Sequence, residues 1–313
     1  MGKTAFLFPG QGSQQVGMGK ELAETYSTCL NVFKKADNVL NEQFTELIFQ
    51  GNEEELKRTE NTQPALLTTS VAIWSLLDEQ GIESDFVAGH SLGEYSALVA
   101  SGSMSFEEAC LAVRKRGQWM EEAVPAGEGT MAAILGMERE SLLKVTEQAT
   151  LDAGVVEPAN FNSPGQIVIS GSAEGVMRAG ELAKEQGAKR VIPLTVSGPF
   201  HSSLMKPAAE KMKDHLSTIH FTDPNTKVVA NVTADVVENS EQIKDLLYKQ
   251  IYSPVLWEDT VRKLVDEGVD TFIEVGPGKV LSGLVKKVSR RATVLPVYDN
   301  ETLDKAVATI KGE

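Results

Sequence analysis

No stretch of this sequence reaches the roughly 18 uninterrupted apolar residues that a membrane span requires, so a membrane role is not expected. Cysteine is scarce: Cys29 and Cys110 are the only two in 313 residues. That excludes a disulfide framework and leaves no repeated thiolate pair for zinc, so no metal site is expected. Cationic residues are in deficit, 30 lysines and arginines against 44 acids, and the formal net charge is -14. Wholesale binding to nucleic acid or to an anionic membrane needs the opposite sign, and an acidic partner must find a local basic patch. Histidine numbers only four, so any imidazole chemistry has few candidates. The residues before Pro9-Gly10 form an apolar run too brief for a secretory signal, and the expected compartment is the cytoplasm. What remains is ordinary: 42% hydrophobic and 24% charged residues, the proportions of a globular protein with a sizeable core.

Short apolar runs bounded by glycine or proline alternate with longer helical patterns, the signature of a mostly parallel sheet with crossover helices. Ala5-Phe6-Leu7-Phe8 is the first such run. Asn61-Thr62-Gln63-Pro64 supplies capping residues and an early proline, which predicts a helix starting there and running through Leu77. Phe86-Val87-Ala88 then reads as a strand, Gly89 to Gly93 as a tight turn and Glu94 to Ala100 as a helix. Ser105 to Glu122 is a further helix, and Arg116 falls on or beside its apolar stripe. After the break at Pro125 to Gly129 the order changes to strand, helix, strand, strand, helix, strand. That βαββαβ succession is the ferredoxin-like pattern and predicts a small inserted subdomain over 130–195, with 1–129 and 196–313 forming the main domain.

Gly89-His90-Ser91-Leu92-Gly93 fits the G-x-S-x-G nucleophile elbow, whose small residues let a serine hydroxyl stand above a sheet. The pattern recurs by chance, but here the preceding strand and following helix supply the context the chemistry requires. A serine hydroxyl needs a base. His90 lies inside the elbow and should point away from Ser91, while His215 and His220 read as structural or surface residues. His201 follows Ser197-Gly198-Pro199-Phe200 at the start of a helix, where an imidazole can face a cleft and the dipole favours its neutral form, and it is the expected base. Its second ring nitrogen needs an orienting group, and nothing singles one out among 44 acids.

Two further features point toward a site. Phe8-Pro9-Gly10-Gln11-Gly12-Ser13-Gln14 fails the dinucleotide fingerprint, because Gln15 stands where the third glycine belongs, and it lacks the Gly-Lys-Ser/Thr of a Walker A loop. It is either a tight turn chosen for geometry or a source of backbone N–H groups for an oxyanion, with Gln11 and Leu92 as the pair. Arg116 either snorkels to solvent, pairs with an internal carboxylate, or meets the carboxylate of a substrate.

Together these segments resemble the malonyl-CoA:acyl carrier protein transacylase family over essentially the whole chain. The resemblance is carried by Phe8 to Gly12, Thr62-Gln63-Pro64-Ala65, Gly89 to Glu94, Arg116-Gly117 and Asn160 to Gln166. Pro199-Phe200-His201-Ser202, Gln250 with Ser253-Pro254-Val255, and Glu274 to Gly278 complete it. It implies an α/β fold, a hydrolase-like parallel-sheet domain with an inserted ferredoxin-like subdomain. It also implies Ser91 as the acylated serine, His201 as its base, and Gln11 and Leu92 as oxyanion donors. Arg116 becomes the carboxylate clamp, Gln63 and Phe200 further substrate-binding residues, and the backbone carbonyl of Gln250 the group orienting His201.

The activity so implied is ping-pong transfer of malonyl from malonyl-CoA to the phosphopantetheine thiol of holo acyl carrier protein, supplying extender units for fatty acid synthesis. No cofactor is implied beyond the coenzyme A thioester as substrate, and a monomer is expected. Phe200 beside His201 is similar to malonyl-preferring members, where the ring crowds an α-methyl branch, whereas Ser197-Gly198-Pro199 departs from the tripeptide of some bacterial relatives. The carrier is itself acidic, so Lys189, Arg190, Lys286 and Lys287, with Arg290 and Arg291, are the expected docking residues. A serine hydrolase could share the elbow and base, and a non-catalytic carrier-binding subunit could share the fold. Arg116 and the inserted segment favour transfer over the first, and the intact Ser91, His201 and Arg116 over the second.

Overall fold

The computed structural model describes residues 2–312. Its strands are β1 (Lys3–Phe8), β2 (Phe86–Gly89), β3 (Gly129–Leu135), β4 (Val156–Ser163), β5 (Gln166–Ser172), β6 (Arg190–Pro193), β7 (Lys227–Val229), β8 (Val269–Val275) and β9 (Thr293–Val297). Five of them form a parallel sheet in the order β7-β2-β1-β8-β9, and four an antiparallel sheet in the order β4-β5-β3-β6. Side chains alternate along a strand, so Phe6 and Phe8 of β1 enter one core while Ala5 and Leu7 enter another on the opposite face. Burial on both faces is why these strands read as continuous apolar runs. The antiparallel sheet carries the helices Arg139–Ala153 and Ala173–Glu185, and Ile134, Leu142, Ile169 and Val176 share its own core. Its strand order is that of a ferredoxin-like βαββαβ unit.

Two helices depart from the sequence reading. The helix expected to start at Asn61–Pro64 begins earlier and spans Thr59–Glu79, with Pro64 inside it. Its first turn closes upstream, where Asn61 and Thr62 donate their backbone N–H groups to the Arg58 carbonyl. The Asn61 and Thr62 side chains instead donate to Glu55 and Leu56 carbonyls at the end of the short helix Glu53–Lys57. Residues that look like N-caps thus cap the C-terminus of a neighbour. The helix expected to start at His201 opens instead as a 3-10 turn, Ser203–Met205, followed by the helix Lys206–Ser217. Pro207 explains the break, since it lacks an N–H and suits only the first positions of a helix.

Parallel pairing places the site. Phe8 lies opposite Gly89, so the turn after β1 and the elbow after β2 emerge side by side at the carboxyl end of the sheet. On the other flank β7 pairs with β2, which brings Asn231 against the elbow.

Candidate active site

The elbow is built by close packing. A Cβ on Gly89 would come within 1.9 Å of the Gly93 carbonyl, and one on Gly93 within 2.1 Å of the Phe8 oxygen. Only glycine lets strand, turn and the helix Gly93–Ala100 approach this closely. Ser91 takes a left-handed conformation at φ 52°, which for a non-glycine residue costs on the order of 1–3 kcal/mol. Two bonds from Asn231 hold it there: its Oδ1 accepts the Ser91 N–H at 2.7 Å, and its Nδ2 donates to the Gly89 carbonyl at 2.6 Å. His201 is likewise at φ 59°.

Ser91 Oγ and His201 Nε2 are 2.7 Å apart, and His201 Nδ1 lies 2.8 Å from the Gln250 carbonyl oxygen. A carbonyl only accepts, so Nδ1 carries the proton and Nε2 is left as the acceptor for the serine hydroxyl. Burial and the Arg116 charge push His201 from 6.5 to about 3, against the pull of the Gln250 bond. Desolvation and the neighbouring cation thus both favour the neutral imidazole. NMR of the imidazole nitrogens is expected to show His201 neutral and Nδ1-protonated at about pH 5, where a free histidine is largely cationic. Because the folded value is depressed, its stability contribution is complete above 6.5 and is lost as pH falls toward about 3.

Arg116, on the helix Phe106–Glu122, is 1% exposed. Nη1 donates to Gln63 Oε1 at 2.9 Å, and Nη2 donates to Gln250 Oε1 at 2.9 Å and Ser91 Oγ at 3.2 Å. All three acceptors are neutral. Burial lowers the Arg116 pKa, opposed by Tyr95 and Glu94. Its helix comes close enough to Thr59–Glu79 that a Cβ on Gly117 would sit 2.6 Å from the Thr59 oxygen.

A cavity of about 750 Å³ opens on this group, lined among others by Gln11, Ser91, Leu92, Arg116, Phe200 and His201. Gln63 and Gln250 do not line it; they stand behind Arg116 and hold the guanidinium. Gln11 turns its side chain to Thr59 Oγ1 at 3.4 Å. Gln11 and Leu92 line the cavity with Ser91, while the Ser91 N–H itself is taken by Asn231.

The basic residues fall elsewhere. Arg190 and Gln166 are both register partners of Leu135, and Lys287 Nζ donates to Gln166 Oε1 at 2.6 Å. Lys189, Arg190 and Lys287 thus gather at one end of the antiparallel sheet, four residues along β3 from Met131 in the cavity wall and roughly 13 Å away. Lys286 donates to the Ala292 carbonyl at 2.6 Å and is tied into its own helix end.

Three supporting residues escaped the sequence reading. Asn231 fixes the elbow, Asn162 faces His90 Nε2 at 2.8 Å, and Glu94 accepts from Gln250 Nε2 at 2.6 Å. Glu94 stood inside a motif already recognised, and its burial at 2% exposure was the missing signal. Among the described residues no group of His, Cys, Asp and Glu could hold a metal ion, and no helix is long and apolar enough to cross a membrane.

An elbow serine bonded to a neutral imidazole, beside a buried guanidinium, on a parallel sheet joined to a ferredoxin-like one, defines a serine acyltransferase. The chain belongs to the acyl transferase domain family, whose model matches residues 5–311. It is 58% identical over 313 residues to the malonyl CoA-acyl carrier protein transacylase of Bacillus subtilis, covering 100% of this chain and 99% of that one. The crystal structure of an acyl carrier protein S-malonyltransferase from Vibrio cholerae superposes with a TM-score of 0.95 at 46% identity, covering 97% of this chain and 99% of that one. A malonyl-transacylase solved in complex with its type II PKS acyl-carrier protein superposes at 0.96 with 44% identity, over 98% of this chain and 99% of the other.

Proposed function

We propose that this acyltransferase moves malonyl from malonyl-CoA to the phosphopantetheine thiol of holo acyl carrier protein, supplying extender units for fatty acid synthesis. The observation that carries the reading is Arg116, a buried cation 3.2 Å from the nucleophile whose hydrogen bonds all go to neutral oxygens. A carboxylate delivered with the acyl group supplies the missing charge and accepts the fork in bidentate fashion.

Ser91 Oγ attacks the thioester carbonyl as its proton passes to His201 Nε2, while the Gln11 and Leu92 N–H groups receive the oxyanion. Collapse breaks the C–S bond, and the imidazolium returns the proton to the departing thiolate. In the second half His201 takes the proton of the carrier thiol, the sulfur attacks the malonyl ester, and Ser91 leaves with that proton. No electrons are gained or lost, so no redox cofactor enters, and coenzyme A is substrate and product. Phe200 narrows the cavity beside His201, where its ring crowds an α-methyl branch.

Residues 130–195 serve as a small subdomain beside the catalytic part, 1–129 and 196–313, in a monomeric cytoplasmic enzyme. The carrier docks where Lys189, Arg190 and Lys287 gather, since an acidic partner meets repulsion elsewhere on a chain of net charge -14. Reversing Lys189 and Lys287 to glutamate is expected to raise the KM for the carrier about tenfold or more while leaving malonyl-CoA unaffected. An unchanged carrier KM places docking elsewhere. Radiolabelled malonyl-CoA tests the function itself: label held by the protein and passed to holo carrier supports transfer, and release of free malonate without labelled carrier supports hydrolysis.

A further inference from the structure

Glu94 is buried, ionisable and unused by the mechanism above. It lies in the first turn of the elbow helix at 2% exposure, and hydrogen-bonds to none of Ser91 Oγ, His201 or Arg116 among the described residues. Its Oε2 accepts from Gln250 Nε2 at 2.6 Å and from the Asn231 N–H at 3.3 Å. Those are the two residues that hold the site: Asn231 fixes the elbow, and Gln250 orients His201 with its backbone and Arg116 with its side chain.

The geometry of the Gln250 amide is decisive. Nε2 faces two acceptors, the Glu94 carboxylate and the Ser91 carbonyl at 2.9 Å, while Oε1 faces a donor, the Arg116 guanidinium. Turned over, the amide would set its NH2 against the cation and its oxygen against two oxygens, losing all three of its contacts. Without the carboxylate one of the three contacts that oppose that flip is lost, leaving the Ser91 carbonyl and the Arg116 donor. Glu94 reaches Arg116 only through Gln250, and a carboxylate placed directly on the guanidinium would occupy the fork that a substrate carboxylate needs.

We infer that Glu94 is a positioning residue for acyl selection: through Gln250 it holds Arg116 oriented and vacant for the malonyl carboxylate. Burial pushes the Glu94 carboxyl up to about 7, opposed by the Gln250 and Asn231 bonds and by the Arg116 charge. Near neutral pH it is therefore about half ionised, its charged form kept accessible by those bonds and by Arg116. The inference rests on the malonyl reading.

The test is a double-mutant cycle read as acyl selectivity, the ratio of kcat/KM for acylation of Ser91 from malonyl-CoA over acetyl-CoA. Glu94→Gln and Gln250→Met, which keeps the backbone carbonyl, are each expected to lower the ratio about tenfold, and the double variant no further than the larger single effect. Additive effects, or a ratio untouched by Glu94→Gln, overturn the inference. Should Glu94→Gln fail to accumulate as folded protein, Glu94→Asp keeps the charge at shorter reach and is expected to lose selectivity to a smaller extent. An intact ratio in Glu94→Asp overturns it as well. A wild-type ratio near one overturns the malonyl reading, and this inference with it, whereas a high wild-type ratio isolates the role of Glu94.

Discussion

Ser91→Ala is expected to abolish the covalent malonyl-enzyme and, with it, transfer to the carrier, lowering kcat on the order of a millionfold. Residues of a nucleophile–base unit act together, so losing the nucleophile costs nearly the whole chemical acceleration. Water cannot substitute efficiently, because His201 Nε2 is aimed at Oγ from 2.7 Å and no other hydroxyl occupies that point. Cβ remains at φ 52° in the variant and Asn231 still holds the backbone, so the fold and malonyl-CoA binding should survive. Quench-flow with radiolabelled malonyl-CoA followed by denaturing gels checks this directly. Label on Ser91→Ala protein would mean that another nucleophile carries the acyl group.

Arg116→Ala has the second largest expected effect and a different signature, a collapse of the malonyl preference. Removing one partner of a buried charged pair costs about 2–5 kcal/mol, or roughly 30-fold to several thousand-fold in kcat/KM for malonyl-CoA. Acetyl-CoA, which leaves the wild-type guanidinium unpaired, should gain or hold its rate, so the two substrates converge. Arg116→Lys separates charge from shape: an ammonium keeps the sign but cannot span Gln63, Gln250 and a carboxylate at once, and an intermediate ratio is expected. Some stability should also go with Arg116→Ala, since Gln63 Oε1 and Gln250 Oε1 lose their buried donor at about 1–3 kcal/mol each. Acylation rates with both thioesters, measured beside a thermal melt, distinguish the two losses. Malonyl selectivity that survived in Arg116→Ala would exclude the clamp.

The two predictions draw on different parts of the molecule. Ser91 depends on a local feature, five consecutive residues whose glycines permit one turn between one strand and one helix. Arg116 depends on three distant segments: its own helix, the helix that carries Gln63, and Gln250 at the end of the helix Ser240–Gln250. Local backbone strain is written into short motifs, whereas the charge balance of a buried cation is settled by chains that meet only after folding.

By itself the sequence determined the alternation of buried strands with helices, the ferredoxin-like βαββαβ segment, the elbow at Ser91 and the choice of His201 among four histidines. Each follows from spacing, glycine placement or scarcity, which act over a few residues. The start of the helix Thr59–Glu79 was misread because its first turn is closed by Arg58 and its apparent caps serve a neighbouring helix. Only the tertiary structure decided that Arg116 is buried against neutral partners and that Glu94 lies beneath them, while the Gln250 carbonyl facing His201 was implied by the family resemblance and by no residue pattern of its own. A backbone carbonyl is present at every residue and so leaves no mark in a sequence. Burial of Glu94 is likewise fixed by elements more than a hundred residues away, where Asn231 and Gln250 arrive from the far part of the chain.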